Sequence, residues 1–460
     1  MNILVINPPN KPFTERSLLI EPIDVLGIAS YLQQIKNKVK VVDMDVKKMS
    51  SHDLKPIITK FKPKLVVIPF DYHIPLHTSK TIIEIKKIIK LIKKINEKTF
   101  IVVGGKTPKH YPTIFLEAGA DIVANSEMEL TLKDLINKKF KKLNLIKGIS
   151  YTDSGKLKIN KSPVKKIKLD KLPITNRKLV DLNDYIDVRT ILTSRGCNGN
   201  CGFCATPDFW GCWQGKSPKK VVDEIQNVVS KHNAQKILFL DDNATVSNTR
   251  LKEISKEIIK RKLNYVKYGC LGRIASFDEN TMKLMRKAGF RWIHYGAEFA
   301  SKKVLDGLRK GITPLDIEKV VMKTKKLGFR VRTSWIFDLP EADEKGLKRS
   351  VDMILKIQPQ EIRAHFLSLR VGSDYHKETK KRKGIESQYI HNKKPNKSVK
   401  RKLSLRKINS EMKRLVKGLK KEGYLVVKDV RDWRNVEKLR KKDPELKFIS
   451  FCPSRYGVNW

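Results

Sequence analysis

Ser194-Arg195-Gly196-Cys197-Asn198-Gly199-Asn200-Cys201-Gly202-Phe203-Cys204 sets three cysteines within eight positions of a glycine-rich stretch. It follows the apolar run Thr190–Thr193 directly and precedes a helical pattern, so the cysteines fall on a loop leaving a strand. Thiolates at this spacing can converge on one cubic iron–sulfur cluster, and the glycines let the backbone wrap closely around it. Three protein ligands would leave one iron open to bind and reduce a small molecule, which a site closed by four cysteines does less readily. The competing reading is zinc, which needs a fourth ligand; Cys212 is the candidate. Cys270 and Cys452 stand alone and read as small buried hydrophobes.

Outward from this loop toward the C-terminus, apolar runs alternate with helical spacing. Strands are expected near Thr190–Thr193, Ile237–Leu240, Val266–Cys270, Trp292–Tyr295, Val331–Ile336 and Glu361–Leu367. Helices are expected between them at Pro218–Ser230, Leu251–Ile259, Glu279–Lys287, Pro314–Leu327 and Glu344–Ile357. Six such units predict an α/β, TIM-like partial (β/α)6 barrel over residues 189–372, its site at the carboxyl ends of the strands. Upstream, residues 1–140 show a second alternation. Strands at Asn2–Ile6, Val39–Val42, Lys64–Ile68, Thr99–Val103 and Asp121–Val123 are interleaved with helices at Ile23–Gln33, Thr78–Ile95 and Tyr111–Ala118, which predicts a doubly wound, Rossmann-like domain. Residues 141–188 read as a connector with a hairpin at Asp153-Ser154-Gly155. Residues 373–460 form a basic extension with an amphipathic helix around Lys407–Leu419 and two late strands, Tyr424–Val427 and Phe448–Phe451, expected to cap the barrel.

Bulk composition narrows the function classes. Hydrophobic residues are 40% of 460 and charged residues 32%, which suits a folded chain. Six cysteines, three of them clustered, favour metal binding in a reducing cytoplasm over a disulfide scaffold. The start has no secretory pattern and no apolar run reaches the length of a transmembrane segment, so a cytoplasmic protein is expected. Lys+Arg 97 against Asp+Glu 48 gives a formal charge of +49. A field of that sign draws RNA or an anionic membrane, yet the lysines are dispersed through every segment, as composition alone would also produce.

The cysteine loop resembles that of the radical S-adenosylmethionine (radical SAM) superfamily, whose motif is C-x3-C-x2-C with an aromatic before the last cysteine. The resemblance implies that Cys197, Cys201 and Cys204 bind a 4Fe-4S cluster, that S-adenosyl-L-methionine chelates its open iron, and that Phe203 lies near the adenine. Further motifs fit at later strand ends. Asp241-Asp242-Asn243 occupies a place where the family carries polar groups near the methionyl amine. Tyr295-Gly296-Ala297-Glu298 resembles the G-x-E-S pattern, which implies a ribose or amino contact for Glu298, although Phe299 stands after the acid. Arg273 sits at the third strand's end. Phe337-Asp338-Leu339-Pro340-Glu341 looks like a G-x-P-x-E turn with Asp338 for the glycine.

The first domain is similar to the cobalamin (B12)-binding fold that precedes the radical core in a large subgroup. Gly104 and Gly105 after the fourth strand, followed by the acidic turn at Glu127-Met128-Glu129, carry the likeness. The family's D-x-H-x-x-G is replaced by Asn7-Pro8-Pro9-Asn10, so any cobalamin lacks a protein histidine ligand; His73 and His77 read as surface or packing residues. The resemblance implies reductive cleavage of S-adenosylmethionine, with an external electron donor of ferredoxin or flavodoxin type. Methyl transfer to an unactivated carbon, or a related coupling or rearrangement, would act on a small-molecule, lipid or cofactor-precursor substrate. Two alternatives stand beside it: an RNA- or tRNA-modifying radical enzyme without cobalamin that grips phosphates with the region His376–Lys421, and a non-enzymatic iron–sulfur scaffold.

Overall fold

The computed structural model describes residues 1–9, 20–72, 78–162, 166–380, 402–427, 439–440, 442–443 and 445–451. Cys452, His73, His77, Asn10 and the lysine runs between 381 and 401 lie outside the described residues. The described residues form two compact units: Met1–Thr190 with Asp208–Lys216, and Ile191–Pro207 with the described residues from Ser217 onward.

In the first unit the strands are β1 (Asn2–Asn7), β2 (Lys38–Asp43), β3 (Leu65–Pro69), β4 (Phe100–Gly104), β5 (Ile122–Ala124), β6 (Ile149–Asp153) and β7 (Lys156–Ile159). They make one sheet in the order β2-β1-β3-β4-β5-β6-β7. β1 to β5 are parallel, and β6 and β7 join antiparallel through the turn at Ser154-Gly155. The connector hairpin is therefore continuous with the sheet. Residues such as Val5, Val67 and Val102 are fully buried, as a parallel sheet covered on both faces requires. The helices Ile23–Gln34, Thr78–Ile95 and Pro112–Leu116 fall where the spacing puts them, and the short helices Lys55–Phe61, Lys106–His110 and Met128–Asn137 are added.

The second unit is built on β8 (Arg189–Ile191), in which the chain passes from one unit to the next, β9 (Lys236–Phe239), β10 (Lys267–Gly272), β11 (Phe290–Glu298), β12 (Arg330–Ile336), β13 (Glu361–His365), β14 (Leu425–Val427) and β15 (Phe448–Phe451). The order is β14-β15-β13-β12-β11-β10-β9-β8. The pairings from β9 to β15, and that of β14 with β15, are parallel. The first six strands in sequence form the partial barrel. The last two extend its edge beyond β13 instead of capping it, because β15 pairs in register with Glu361–Ala364 and β14 pairs in turn with β15.

Side-chain caps set where the barrel helices begin. Ser217 accepts from the Lys220 amide at 3.4 Å with Pro218 at the first position, and Asp343 accepts from Gly346 at 2.6 Å. Thr313 and Asp316 form a reciprocal capping box. The basic helix Leu405–Lys421 buries Ile408, Met412, Leu415 and Leu419 in the barrel core, while Arg414 pairs with Asp352 at 2.6 Å. Among the described residues no helix is long and apolar enough to cross a membrane.

Candidate functional site

Two neighbouring aspartates after β9 hold the cysteine loop. Asp241 is buried, and its carboxylate accepts the backbone N–H of Thr193 at 2.7 Å and of Ser194 at 3.1 Å, together with both hydroxyls. Asp242 reaches both ends of the loop: it accepts the Gly196 N–H at 3.1 Å and the Thr206 hydroxyl at 2.8 Å. Four acceptor bonds to charged oxygen at one residue fix the corner where β8 turns into the loop. The Asp241 oxygens are thus taken up by the chain itself, and Asp242 ties the loop shut.

Inside that frame the thiols meet N–H donors. Cys201 is buried, and Cys197 and Cys204 are half-buried. Cys197 Sγ accepts from the Gly199 amide at 3.3 Å and faces Asn243 Nδ2 at 3.7 Å; Cys204 Sγ accepts from the Thr206 amide at 3.5 Å. Arg273 Nη1 donates to Cys201 Sγ at 3.2 Å, while its Nη2 donates to the Lys310 carbonyl at 2.8 Å. Burial pushes the Cys204 thiol above its usual value, against the hydrogen bonds of Thr206. A Cβ on Gly199 would stand 2.0 Å from Arg273 Nη1, so the guanidinium needs that bare backbone. Donors aimed at sulfur favour the thiolate, the form that binds iron. Among the described residues no three Cys, His, Asp or Glu side chains are grouped as ligands of one ion. A cubic cluster takes one thiolate per iron, whereas zinc would need a fourth ligand beside the three thiols. Cys212 is exposed and belongs to the first unit.

Beside the loop lies an ion pair that the sequence does not announce. β11 carries a register shift between Gly296 and Glu298, and Glu298 has φ of 65°. This turns its carboxylate onto Lys310 Nζ at 2.6 Å, with both side chains buried. A Cβ on Gly296 would sit 2.2 Å from Glu298 Oε1, so that glycine makes the room. Lys310 Nζ also lies 5.8 Å from the centre of the Phe203 ring. Phe203, Arg273, Glu298 and the three thiols are therefore gathered at the carboxyl ends of the strands, with Lys310 linking them. Further along, Arg309 Nε donates to the Asn200 carbonyl at 2.8 Å and the Gly202 amide to the Leu308 carbonyl at 3.1 Å. Tyr375 donates its amide to the Gly202 carbonyl at 3.1 Å and its hydroxyl to Glu341 at 3.3 Å. Lys310, Arg309 and Tyr375 were not legible as site residues; their only sequence signal is that they follow barrel strands.

In the first unit Gly104 and Gly105 face the domain's own atoms. A Cβ on Gly105, at φ 137°, would stand 1.8 Å from the Phe70 carbonyl oxygen, and one on Gly104 would stand 2.8 Å from Met128 Sδ. Glu127 accepts the Ile167 N–H at 3.0 Å. Asn125 Oδ1 and Ser126 Oγ, just past β5, are buried without a hydrogen-bond partner among the described residues. Orphaned polar atoms at the carboxyl edge of a doubly wound sheet are what a polar cofactor tail would satisfy, so this edge fits cobalamin.

Comparison with known proteins agrees with this division. The radical SAM superfamily model matches residues 191–354 and the B12 binding domain model residues 13–136. An uncharacterized methyltransferase of Pyrococcus horikoshii is 28% identical over 369 residues, 78% of each chain. The anaerobic magnesium-protoporphyrin IX monomethyl ester cyclase of Synechocystis sp. is 22% identical over 380 residues, 80% of this chain and 75% of that one. Among solved structures, the radical S-adenosylmethionine methyltransferase TsrM from Kitasatospora setae, with cobalamin and 4Fe-4S cluster bound, superposes with a TM-score of 0.72 at 19% identity, covering 83% of this chain and 74% of that one. The cobalamin-dependent S-adenosylmethionine radical enzyme OxsB gives 0.73 at 17% identity, covering 90% and 66%. Both structures share the two-part fold.

Proposed function

From a chain that is a radical SAM protein with an N-terminal B12-binding domain, we propose an enzyme that cleaves S-adenosylmethionine reductively and transfers a methyl group to an unactivated carbon of a small molecule. The observation that carries this is the three-cysteine loop, clamped by Asp241 and Asp242 and placed against Phe203, Arg273, Lys310 and Glu298 at the strand ends. When bound, the cluster would supply the electron that breaks the sulfonium bond, and cobalamin would carry the methyl group.

Cys197, Cys201 and Cys204 would hold the cluster, with Asn243 and Arg273 donating toward its sulfur ligands. Phe203 offers an apolar ring for the adenine. Glu298, charge-paired by Lys310, offers acceptors to ribose hydroxyls or to the methionyl amine, and Lys310 a cation to the methionyl carboxylate. Asp241 and Asp242 are positioning residues: they fix the loop so that the thiols need no reorganisation on binding. Asn125 and Ser126 would meet the cobalamin tail, with Gly104 and Gly105 keeping the β4 turn in shape. An external reductant of ferredoxin or flavodoxin type would deliver the electron.

The test is anaerobic reconstitution with iron, sulfide and hydroxocobalamin, then addition of S-adenosylmethionine and a low-potential reductant. The expected products are 5′-deoxyadenosine and S-adenosylhomocysteine, from a protein whose spectrum keeps a corrinoid band after desalting. Absence of both products ends the enzyme reading. 5′-Deoxyadenosine without corrinoid or S-adenosylhomocysteine ends the methyl-transfer part alone.

A further inference from the structure

Directly after Gly104-Gly105, at the carboxyl end of β4, Lys106 is only 7% exposed. Its ammonium donates to the Tyr72 carbonyl and lies 5.7 Å from the centre of the Phe209 ring. Among the described residues no carboxylate pairs with it. The acids nearby in the first unit are engaged with its neighbours on the short helix Lys106–His110. Asp208 stands 3.0 Å from Lys109 Nζ and 2.8 Å from His110 Nε2, and Asp71 accepts the Thr107 hydroxyl at 2.9 Å. In the barrel, by contrast, the buried Lys310 is matched by Glu298 at 2.6 Å.

An ammonium has three N–H donors, and one carbonyl with an aromatic face satisfies them in part. Burying such a charge without a counter-ion opposes folding, because the water that solvated it is replaced by nothing of opposite sign. Around Lys106 the medium is apolar as well. The rings of Tyr72, Phe209 and Trp210 meet edge to face, with centres 4.8 to 5.3 Å apart. An anion reaching the ammonium there would interact more strongly than in water.

Sheet register shows what else stands at this edge. Gly104 pairs with Pro69 on β3 and with Ala124 on β5, so Lys106 leaves the sheet between the loop that carries Tyr72 and the loop that carries Asn125 and Ser126. Asn125 is 6% exposed; its Nδ2 donates to Ser150 Oγ at 2.9 Å, while its Oδ1 has no partner among the described residues, nor has Ser126 Oγ. Neighbouring strand ends therefore hold a cation without its anion and an amide oxygen without its donor, where a doubly wound sheet takes its ligand. A phosphate ester flanked by hydroxyl or amide groups answers both needs.

We propose that Lys106 is the anion-binding residue of the first unit and that its anion is the phosphodiester in the nucleotide tail of cobalamin. This rests on the reading of that unit as a cobalamin-binding domain, and names the part of the cofactor that the cation grips. Cobinamide has the same corrin ring without the nucleotide tail, and so without the phosphodiester. Loss of a charge-assisted hydrogen bond to phosphate weakens binding by about tenfold or more.

The test is spectrophotometric titration of the full-length, cluster-reconstituted protein with hydroxocobalamin and with aquacobinamide. Lys106→Met should weaken cobalamin about tenfold or more and leave cobinamide within about twofold, while Lys106→Arg keeps most of the cobalamin affinity. Lys106→Gln, which retains a donor for the Tyr72 carbonyl without the charge, gives the same comparison if the methionine variant does not fold. Equal weakening of both corrinoids, or weakening of neither, overturns the inference. Wild-type protein that binds neither corrinoid overturns the cobalamin reading itself, which separates the two failures. A third titration uses inorganic phosphate alone, followed by thermal melting. A Lys106-dependent stabilisation by phosphate without a Lys106-dependent difference between the corrinoids would assign the cation to a free phosphate and overturn its place in cobalamin binding.

Discussion

At the end of β9, Asp241 and Asp242 turn their acceptors onto the backbone of a neighbouring loop. At the end of β4, Gly104 and Gly105 instead offer no side chain at all, and the atoms of Phe70 and Met128 close in on them. Both are strand ends of parallel sheets, where such folds place their chemistry. The second unit builds its site by adding polar contacts to a loop, and the first by removing side chains. A site made by addition tolerates isosteres and loses activity when a donor or acceptor is lost. A site made by subtraction fails sterically, and its loss registers first as lost stability.

The largest effect that could break this contrast lies at the thiols. Cys197→Ala, Cys201→Ala or Cys204→Ala should each abolish cluster retention and 5′-deoxyadenosine formation, read as iron per chain and product by chromatography. Cys270→Ala, in the core of β10, should keep both. Next is Lys310→Met, which leaves the Glu298 carboxylate buried without its cation and should cost about 3–5 kcal/mol in chemical denaturation. The double variant with Glu298→Gln should recover most of that loss, and failure to recover would deny the pairing.

Gly105→Ala should cost roughly 2–4 kcal/mol, because it adds a clash with the Phe70 carbonyl to an unfavourable φ. Iron content should nevertheless persist at denaturant concentrations where the first unit has already melted, as followed by limited proteolysis. The smallest effect is expected for Asp241→Asn, which keeps the shape but loses part of the acceptor capacity, about 1.5–3 kcal/mol. It should speed cluster loss to a chelator; unchanged release kinetics would detach Asp241 from the loop's function.

The alternation of strands and helices was readable because buried parallel strands are short apolar runs and the barrel helices open on Ser217, Thr313 and Asp343 caps. The short helices Lys55–Phe61 and Met128–Asn137 have too few turns to impose a period. Phe448–Phe451 was visible as a strand, but its parallel partner lies far back in the chain, and pairing at such a distance leaves no local signal. The thiols, Phe203 and Glu298 were legible from motif spacing. Lys310 was not, since Arg309-Lys310 reads as one more basic pair in a chain with 97 lysines and arginines. Only the bulge in β11 brings its ammonium to Glu298. Asp241 was legible as a residue but not in its task, because a carboxylate at a strand end serves a ligand or the backbone with the same one-letter code.

The two late strands have a bearing on how this protein could be shortened. β15 lies along β13 and β14 along β15, so Glu361–Ala364 is flanked by a paired strand on both sides. A chain ending before Phe448 would keep every residue of the cysteine loop, yet leave a flat row of unmet backbone groups at the barrel's margin. Such a margin recruits strands from other molecules. Shortened protein should therefore clump before it loses iron, and light scattering would register the change earlier than any spectrum of the metal.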